Sequence, residues 1–277
     1  MDTLRERNAS ILRTSPEREA TGHNMDSTHA AVKTSFPAPT LADENVAVPS
    51  SVPIAYDSED SSRFSSSYTD PLFPQRPVSY AVAKRIFDIV FASCAISVLS
   101  LPMVIVALII KATDRGPIFF KQVRVGKGGR FFHCYKFRSM CVDAEQKKQE
   151  LMHLNEASGP VFKIKADPRV TPIGVFIRKM SIDELPQFFN VLKGEMSIVG
   201  PRPPIPSEVV QYGDHERQRL AIVPGITCLW QIGGRSNVTF ERWVELDLEY
   251  IETMSFWGDI AIIAKTIPAV LKSSGAH

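Results

Sequence analysis

The chain has 277 residues, enough for one ordinary domain with extensions, and 44% of them are hydrophobic. A net charge of +2 gives no overall basic field of the kind that binds nucleic acid. The four cysteines, Cys94, Cys134, Cys141 and Cys228, form no C-x-x-C pair, which excludes a disulfide framework or a zinc site as the organising device and points to a reducing compartment.

Residues 1–79 are rich in Ser, Thr, Pro, Asp and Glu, as in SEDSSRFSSSYTD. Such a segment buries too little apolar surface to offset its chain entropy, so a disordered polar tail is expected there. No secretory signal peptide is read at its start.

An apolar run follows, and Ile89–Ile110 carries no charged residue. A membrane-crossing helix needs roughly 20 apolar residues, so the length suffices. Pro102 interrupts the run and removes a backbone donor, while Ser97 and Ser100 just before it offer hydroxyls to the backbone. Serine and proline together predict a bend. Lys84 and Arg85 precede the run, and Lys111, Arg115, Lys121 and Arg124 follow it. Basic residues mark the cytoplasmic side, so basic flanks at both ends favour a helix that enters and returns to one face. A spanning helix with an ordinary proline kink is the alternative. Asp88 lies at the edge of the run, and Arg85–Asp88 at i, i+3 is expected to form an ion pair at headgroup level.

Two β-rich runs, Ile118–Val125 and Arg130–Arg138, flank Gly126-Lys127-Gly128-Gly129 and predict a hairpin. Its charges Lys121, Arg124 and Lys127 are expected to face anionic lipid. His133 and Cys134 are adjacent, so a strand points them to opposite faces, which argues against a nucleophile pair. A polar helix is read from Val142. Further helices are read over SEVVQYGDHERQRLAIV and TFERWVELDLEYIETMS, the second with Trp243, Leu246, Tyr250 and Met254 at core spacing. VPGITCLWQIGGRSNV reads as loop with a short strand. FWGDIAIIAKTIPAVLKS closes the chain as an aromatic-led segment suited to a membrane interface or, equally, to a core.

SIDELPQFFN holds adjacent acids, Asp183 and Glu184. Ser181 to Glu184 fits a capping box opening a helix with Leu185, Phe188, Phe189 and Leu192 inward and Gly194 closing it. Pro186 fits better if Asp183 is the N-cap, because the first turn needs no donor. That start would keep Asp183 ionised through the helix dipole. An ionised carboxylate can attack phosphorus, and its neighbour can help hold Mg²⁺. Arg202 between prolines in VGPRPP, Arg235 in IGGRSN, and Lys136 with Arg138 in YKFRSM are candidate phosphate contacts. Asp247 is a further acid in an apolar helix, able to bind metal or to face water.

Over about Ala83 to His277 these stretches together resemble the monotopic phosphoglycosyl transferases, bacterial sugar transferases that start exopolysaccharide and O-antigen assembly. KRIFD, Ser100–Pro102, GPIFFKQVRVG, YKFRSM, SIDELPQFFNVLKGEMSIVGPRP, VPGIT and ELDLEYI carry the resemblance. It implies an α+β monotopic membrane protein on the cytoplasmic face of the inner membrane. A re-entrant helix over 80–113, entered through Lys84, Arg85 and Asp88 and broken at Ser100–Pro102, would lead to a hairpin. A mainly helical catalytic domain with amphipathic interface helices would fill 114–277. Asp183 would be the nucleophile and Glu184 its partner, both serving as Mg²⁺ ligands. Arg202, Arg235 and Asp247 would contact substrate, with Lys136 and Arg138 added from the residues themselves. The implied partners are a UDP-sugar, galactose favoured, undecaprenyl phosphate and membrane lipids, with no nucleic acid and room for a homodimer. Val223 stands where arginine usually precedes PGIT. A sugar-only transferase releasing UDP, a phosphatase and a non-catalytic membrane scaffold are the competing classes.

Overall fold

The computed structural model describes residues 76–233 and 238–271. The tail expected over 1–79 therefore lies almost wholly outside the described residues, as does Arg235.

Helix α1, Val78–Asp114, contains the apolar run. Among the described residues it is the one helix long and apolar enough to cross a membrane. It continues through Pro102 without interruption. Ser97 Oγ donates to Ser93 O at 2.9 Å and Ser100 Oγ to Ser97 O at 2.9 Å, so both hydroxyls serve backbone carbonyls ahead of the proline. Arg115, in left-handed backbone at φ 55°, ends the helix.

The expected hairpin forms. Strands β1, Phe119–Val125, and β2, Phe131–Phe137, pair antiparallel from Phe119↔Phe137 to Val125↔Phe131. Gly128 takes φ 63° in the connecting turn, a conformation that favours glycine. Cys134 is buried and His133 exposed, as strand alternation requires. Arg124 is buried rather than facing lipid: its Nη1 donates to Pro203 O at 2.7 Å. Lys121 and Lys127 alone of that trio are exposed.

Helices α2, Ala144–Glu150, and α3, Pro172–Lys179, follow, the second capped by Thr171 Oγ1 accepting from Gly174 N. After a 3₁₀ turn over Ile182–Glu184 comes α4, Gln187–Lys193, closed by Gly194 at φ 82°. Strand β3, Ser197–Val199, pairs in parallel with β4, Gly225–Thr227. A side chain on Gly225 would meet Gly200 N at 2.0 Å, so this pairing demands glycine there. The segment read as one helix from Ser207 breaks into α5, Pro206–Val209, α6, Asp214–Arg217, and a 3₁₀ turn. Helix α7 is Leu229–Ile232, α8 Phe240–Thr253 and α9 Phe256–Leu271. The buried stripe of α8 is Phe240, Val244, Leu248 and Ile251 with Tyr250; Trp243 and Leu246 of the expected stripe sit at its margin.

Both halves of α1 pack on this one body. Ala92 joins a core with Val191, Val199 and Ile262, while Met103, Val106 and Ile110 join Phe137 and Ile177. The expected Arg85–Asp88 ion pair is replaced by tighter partners. Arg85 donates to the carbonyls of Val191 and Leu192 at 2.6 and 2.8 Å, closing the C-terminus of α4. Asp88 Oδ1 accepts from Ile198 N at 3.0 Å. Lys84 meets Asp259 of α9 at 2.7 Å. These residues bind the helix to the domain rather than to headgroups. Helix α9 is amphipathic: Asp259 and Ile262 face inward, and Trp257 is 78% exposed.

Candidate active site

A cleft of about 650 Å³ opens over the hairpin. Strand alternation supplies its floor. Phe120, Gln122 and Arg124 point into it from β1, and Cys134 and Lys136 from β2 with Arg138 just beyond.

Asp183 and Glu184 enter the cleft from the 3₁₀ turn. Ser181 at φ 54° turns the chain sharply out of α3, a left-handed conformation that costs a non-glycine residue roughly 1 kcal/mol. Its side chain caps nothing, so neither the capping box nor Asp183 as N-cap describes this turn. Instead Pro186 occupies the N-cap of α4, where its missing donor is harmless. Phe189, expected inward, is exposed; Gln187, Asn190 and Val191 are the buried residues of α4.

Asp183 is nearly sealed, and burial pushes its carboxyl up to about 6, against the pull of Lys136. The carboxyl is thus raised where a helix dipole was expected to lower it, though it remains largely ionised at pH 7. Glu184 is also raised by burial, but its ion pair with Lys136 Nζ at 2.6 Å, reinforced by Arg202 and Arg124, holds it below the ordinary carboxylate range. One carboxyl is therefore poised near neutrality and its neighbour firmly ionised.

Arg202 and Arg138 line the same cleft. Arg202 Nη1 is buried without a hydrogen bond among the described residues, its nearest carboxylate being Glu208 at 3.8 Å. Its guanidinium lies 5.2 Å from the Trp243 ring centroid. Asp247 is not in the cleft: it is 0% exposed, and Arg219 Nη2 meets its Oδ2 at 2.6 Å. Arg219 in turn lies 5.0 Å from the Trp243 centroid, so Trp243 touches both guanidinium groups. Arg235 is outside the described residues.

Sequence reasoning did not single out Gln122, Arg124 or Arg178 as cleft residues. Alternation along Phe120–Arg124 could have found the first two. Arg178 lies on a different element and has no such signal. Two adjacent carboxylates are hard oxygen donors of the kind a divalent ion takes, and among the described residues no group of three or more His, Cys, Asp or Glu gathers there.

The family model described as bacterial sugar transferase matches residues 79–273. The chain belongs to the bacterial sugar transferase family. It is 50% identical over 199 residues to the galactosyl transferase CpsE of Streptococcus agalactiae, covering 72% of this chain and 44% of that protein. It is 43% identical over 202 residues to the undecaprenyl-phosphate galactose phosphotransferase of Salmonella typhimurium, covering 70% of this chain and 41% of that protein. The exopolysaccharide production protein ExoY of Rhizobium meliloti is 38% identical over 206 residues, 73% of this chain and 91% of ExoY. The chain thus spans less than half of the first two relatives and nearly all of the third. The sugar transferase match begins within α1 and includes the hairpin, the Asp183–Glu184 turn and α9, so the cleft lies inside the family region.

Proposed function

We propose that this sugar transferase moves a sugar-1-phosphate from a UDP-sugar, galactose favoured, to undecaprenyl phosphate, as the first step of exopolysaccharide assembly. The observation that carries this reading is the adjacent pair of buried Asp183 and half-buried Glu184, set beside Lys136 in a cleft that also holds Arg124, Arg138 and Arg202.

In the first half-reaction the Asp183 carboxylate attacks the sugar-bearing β-phosphorus of the donor. A phosphorus–oxygen bond to Asp183 forms, and the bond to the bridging oxygen breaks and leaves as UMP. In the second, a phosphate oxygen of the lipid acceptor attacks the same phosphorus. Asp183 departs as carboxylate, and a polyprenyl diphosphate sugar is produced. The transferring phosphorus needs little covalent help and much charge stabilisation. Lys136 keeps Glu184 ionised, and Arg202 and Arg138 offer donors to phosphate oxygens. Asp183 and Glu184 would hold Mg²⁺, which would supply charge neutralisation to the diphosphate.

The acceptor is a lipid, so the cleft must stand at a membrane surface. Support for an α1 that stays on one face comes from both its halves packing on one body, with exposed Val98, Leu101, Ile105 and Leu108 between and beside those contacts. A helix crossing to the other face would carry one half away from the domain.

The test is nucleotide release by nanodisc-embedded protein given Mg²⁺, undecaprenyl phosphate and a panel of UDP-sugars. UMP release with one sugar, lost in Asp183→Asn, is the expected result. UDP release would mean sugar-only transfer and would overturn the reading.

A further inference from the structure

The cleft has two kinds of wall. Residues from the hairpin and α3, Arg138 and Arg178 among them, make one wall cationic. Phe188 of α4, Ile226 of β4, Trp230 of α7 and Val270 of α9 bring apolar side chains to the cleft, beside the uncharged Gln187, Thr227, Gln231 and Thr266. Contacts from this second wall reach α1 and α9, the two helices with the most exposed apolar side chains near it. Phe188 packs against Phe91 of α1, ring centroids 6.3 Å apart, and Ile89 and Val90 beside Phe91 are exposed. Helix α9 places Thr266 and Val270 on the cleft while Trp257 and Ile267 remain exposed. A hydrogen bond of 2.8 Å between the hydroxyls of Thr227 and Thr266 ties α9 to β4 at this point.

We propose that the apolar wall between α4, β4 and α9 receives the first isoprene units of the lipid acceptor, so that its phosphate reaches Asp183 from the α9 side, while the donor diphosphate uses the cationic wall. The inference rests on the reading above and assigns its two substrates to different walls of one cleft. A prenyl chain gains by leaving water for apolar surface, and an approach alongside α1 and α9 brings it to this wall without crossing the charged one. A water-soluble nucleotide sugar has no use for such a route.

Two measurements on the full chain in nanodiscs test this. The first uses a short prenyl phosphate bearing a diazirine, with crosslinks mapped by mass spectrometry. Crosslinks around residues 226–230 and 266–270, displaced by undecaprenyl phosphate, are expected. Crosslinks confined to the outer face of α1, or not displaced, overturn the proposal. The second follows both half-reactions of Val270→Trp. The acceptor KM should rise at least about tenfold while the UMP burst from donor alone persists, because only the second step loses binding. Equal loss in both half-reactions, or in neither, overturns the proposal. A wild-type protein that shows displaceable crosslinks but no UMP burst keeps the lipid site and sinks the proposed chemistry. A normal burst with crosslinks elsewhere does the reverse.

Discussion

Arg219 donates from Nη2 and Nε to the same oxygen of Asp247, at 2.6 and 2.8 Å, and both side chains are closed to solvent. The pair is a structural joint between the turn after α6 and helix α8, and the Trp243 ring lies within contact of both Arg219 and Arg202 of the cleft. Its distance from the cleft changes what a substitution there should do.

Asp247→Ala leaves an unpaired buried guanidinium and should cost about 3–5 kcal/mol of stability. The paired change Asp247→Leu with Arg219→Met should recover most of that loss. Chemical denaturation of the detergent-solubilised protein measures both. If Asp247→Ala left stability unchanged and abolished only turnover, Asp247 would be acting on substrate directly.

Lys136 pulls both carboxyls of the site downward. Removing it in Lys136→Met raises both, so the acidic limb of the kcat/KM profile should move to higher pH. Turnover at neutral pH should fall by on the order of tenfold to a hundredfold. Lys136→Arg, which keeps the charge, should retain the wild-type limb. A pH profile unchanged in Lys136→Met would remove Lys136 from the electrostatics of the site.

Asp183 bears on stability as well as chemistry. Its folded pKa, about 6, lies above the unfolded value of about 3.9, so ionising it opposes folding. The wild type should therefore gain stability as pH falls from above 6 toward 4. Asp183→Asn should melt higher than wild type at pH 7.5, by roughly a few °C, and the gap should close on acidification. Thermal melts at several pH values without divalent ions check the sign. A lower melting temperature for Asp183→Asn at pH 7.5 would contradict it.

The KRIFD motif makes a fourth prediction. Asp88→Ala strands the buried N–H of Ile198 and should cost about 1–3 kcal/mol. Arg85→Ala frees the carbonyls of Val191 and Leu192 at the end of α4, so it should raise amide exchange there. Loss of liposome binding with no loss of stability would restore a headgroup role for these residues.

Much of this molecule is readable in one dimension. The apolar run of α1, the hairpin around its glycine turn, and the helices α8 and α9 are local patterns, although the stripe read on α8 is offset from the one that is buried. Strand alternation put Lys136 and Arg138 on one face, and the structure keeps them together in the cleft. Adjacent acids beside Pro186 drew attention to Asp183 and Glu184, but the helix start read there is a 3₁₀ turn, with the helix opening only at Pro186.

The partners of those charges are not local, and there the sequence is silent. Asp88 looked paired with Arg85 three residues away, but a backbone N–H 110 positions later wins it. Asp247 could have faced water or metal until Arg219, 28 positions earlier, packed against it. Asp183 looked held well into the ionised range by a helix end, and burial by several elements raised its carboxyl to about 6 instead. Length, polarity and spacing are properties of a segment, so a single chain states them directly. Burial and charge pairing depend on which distant groups arrive beside each atom, and that is decided when the chain closes on itself.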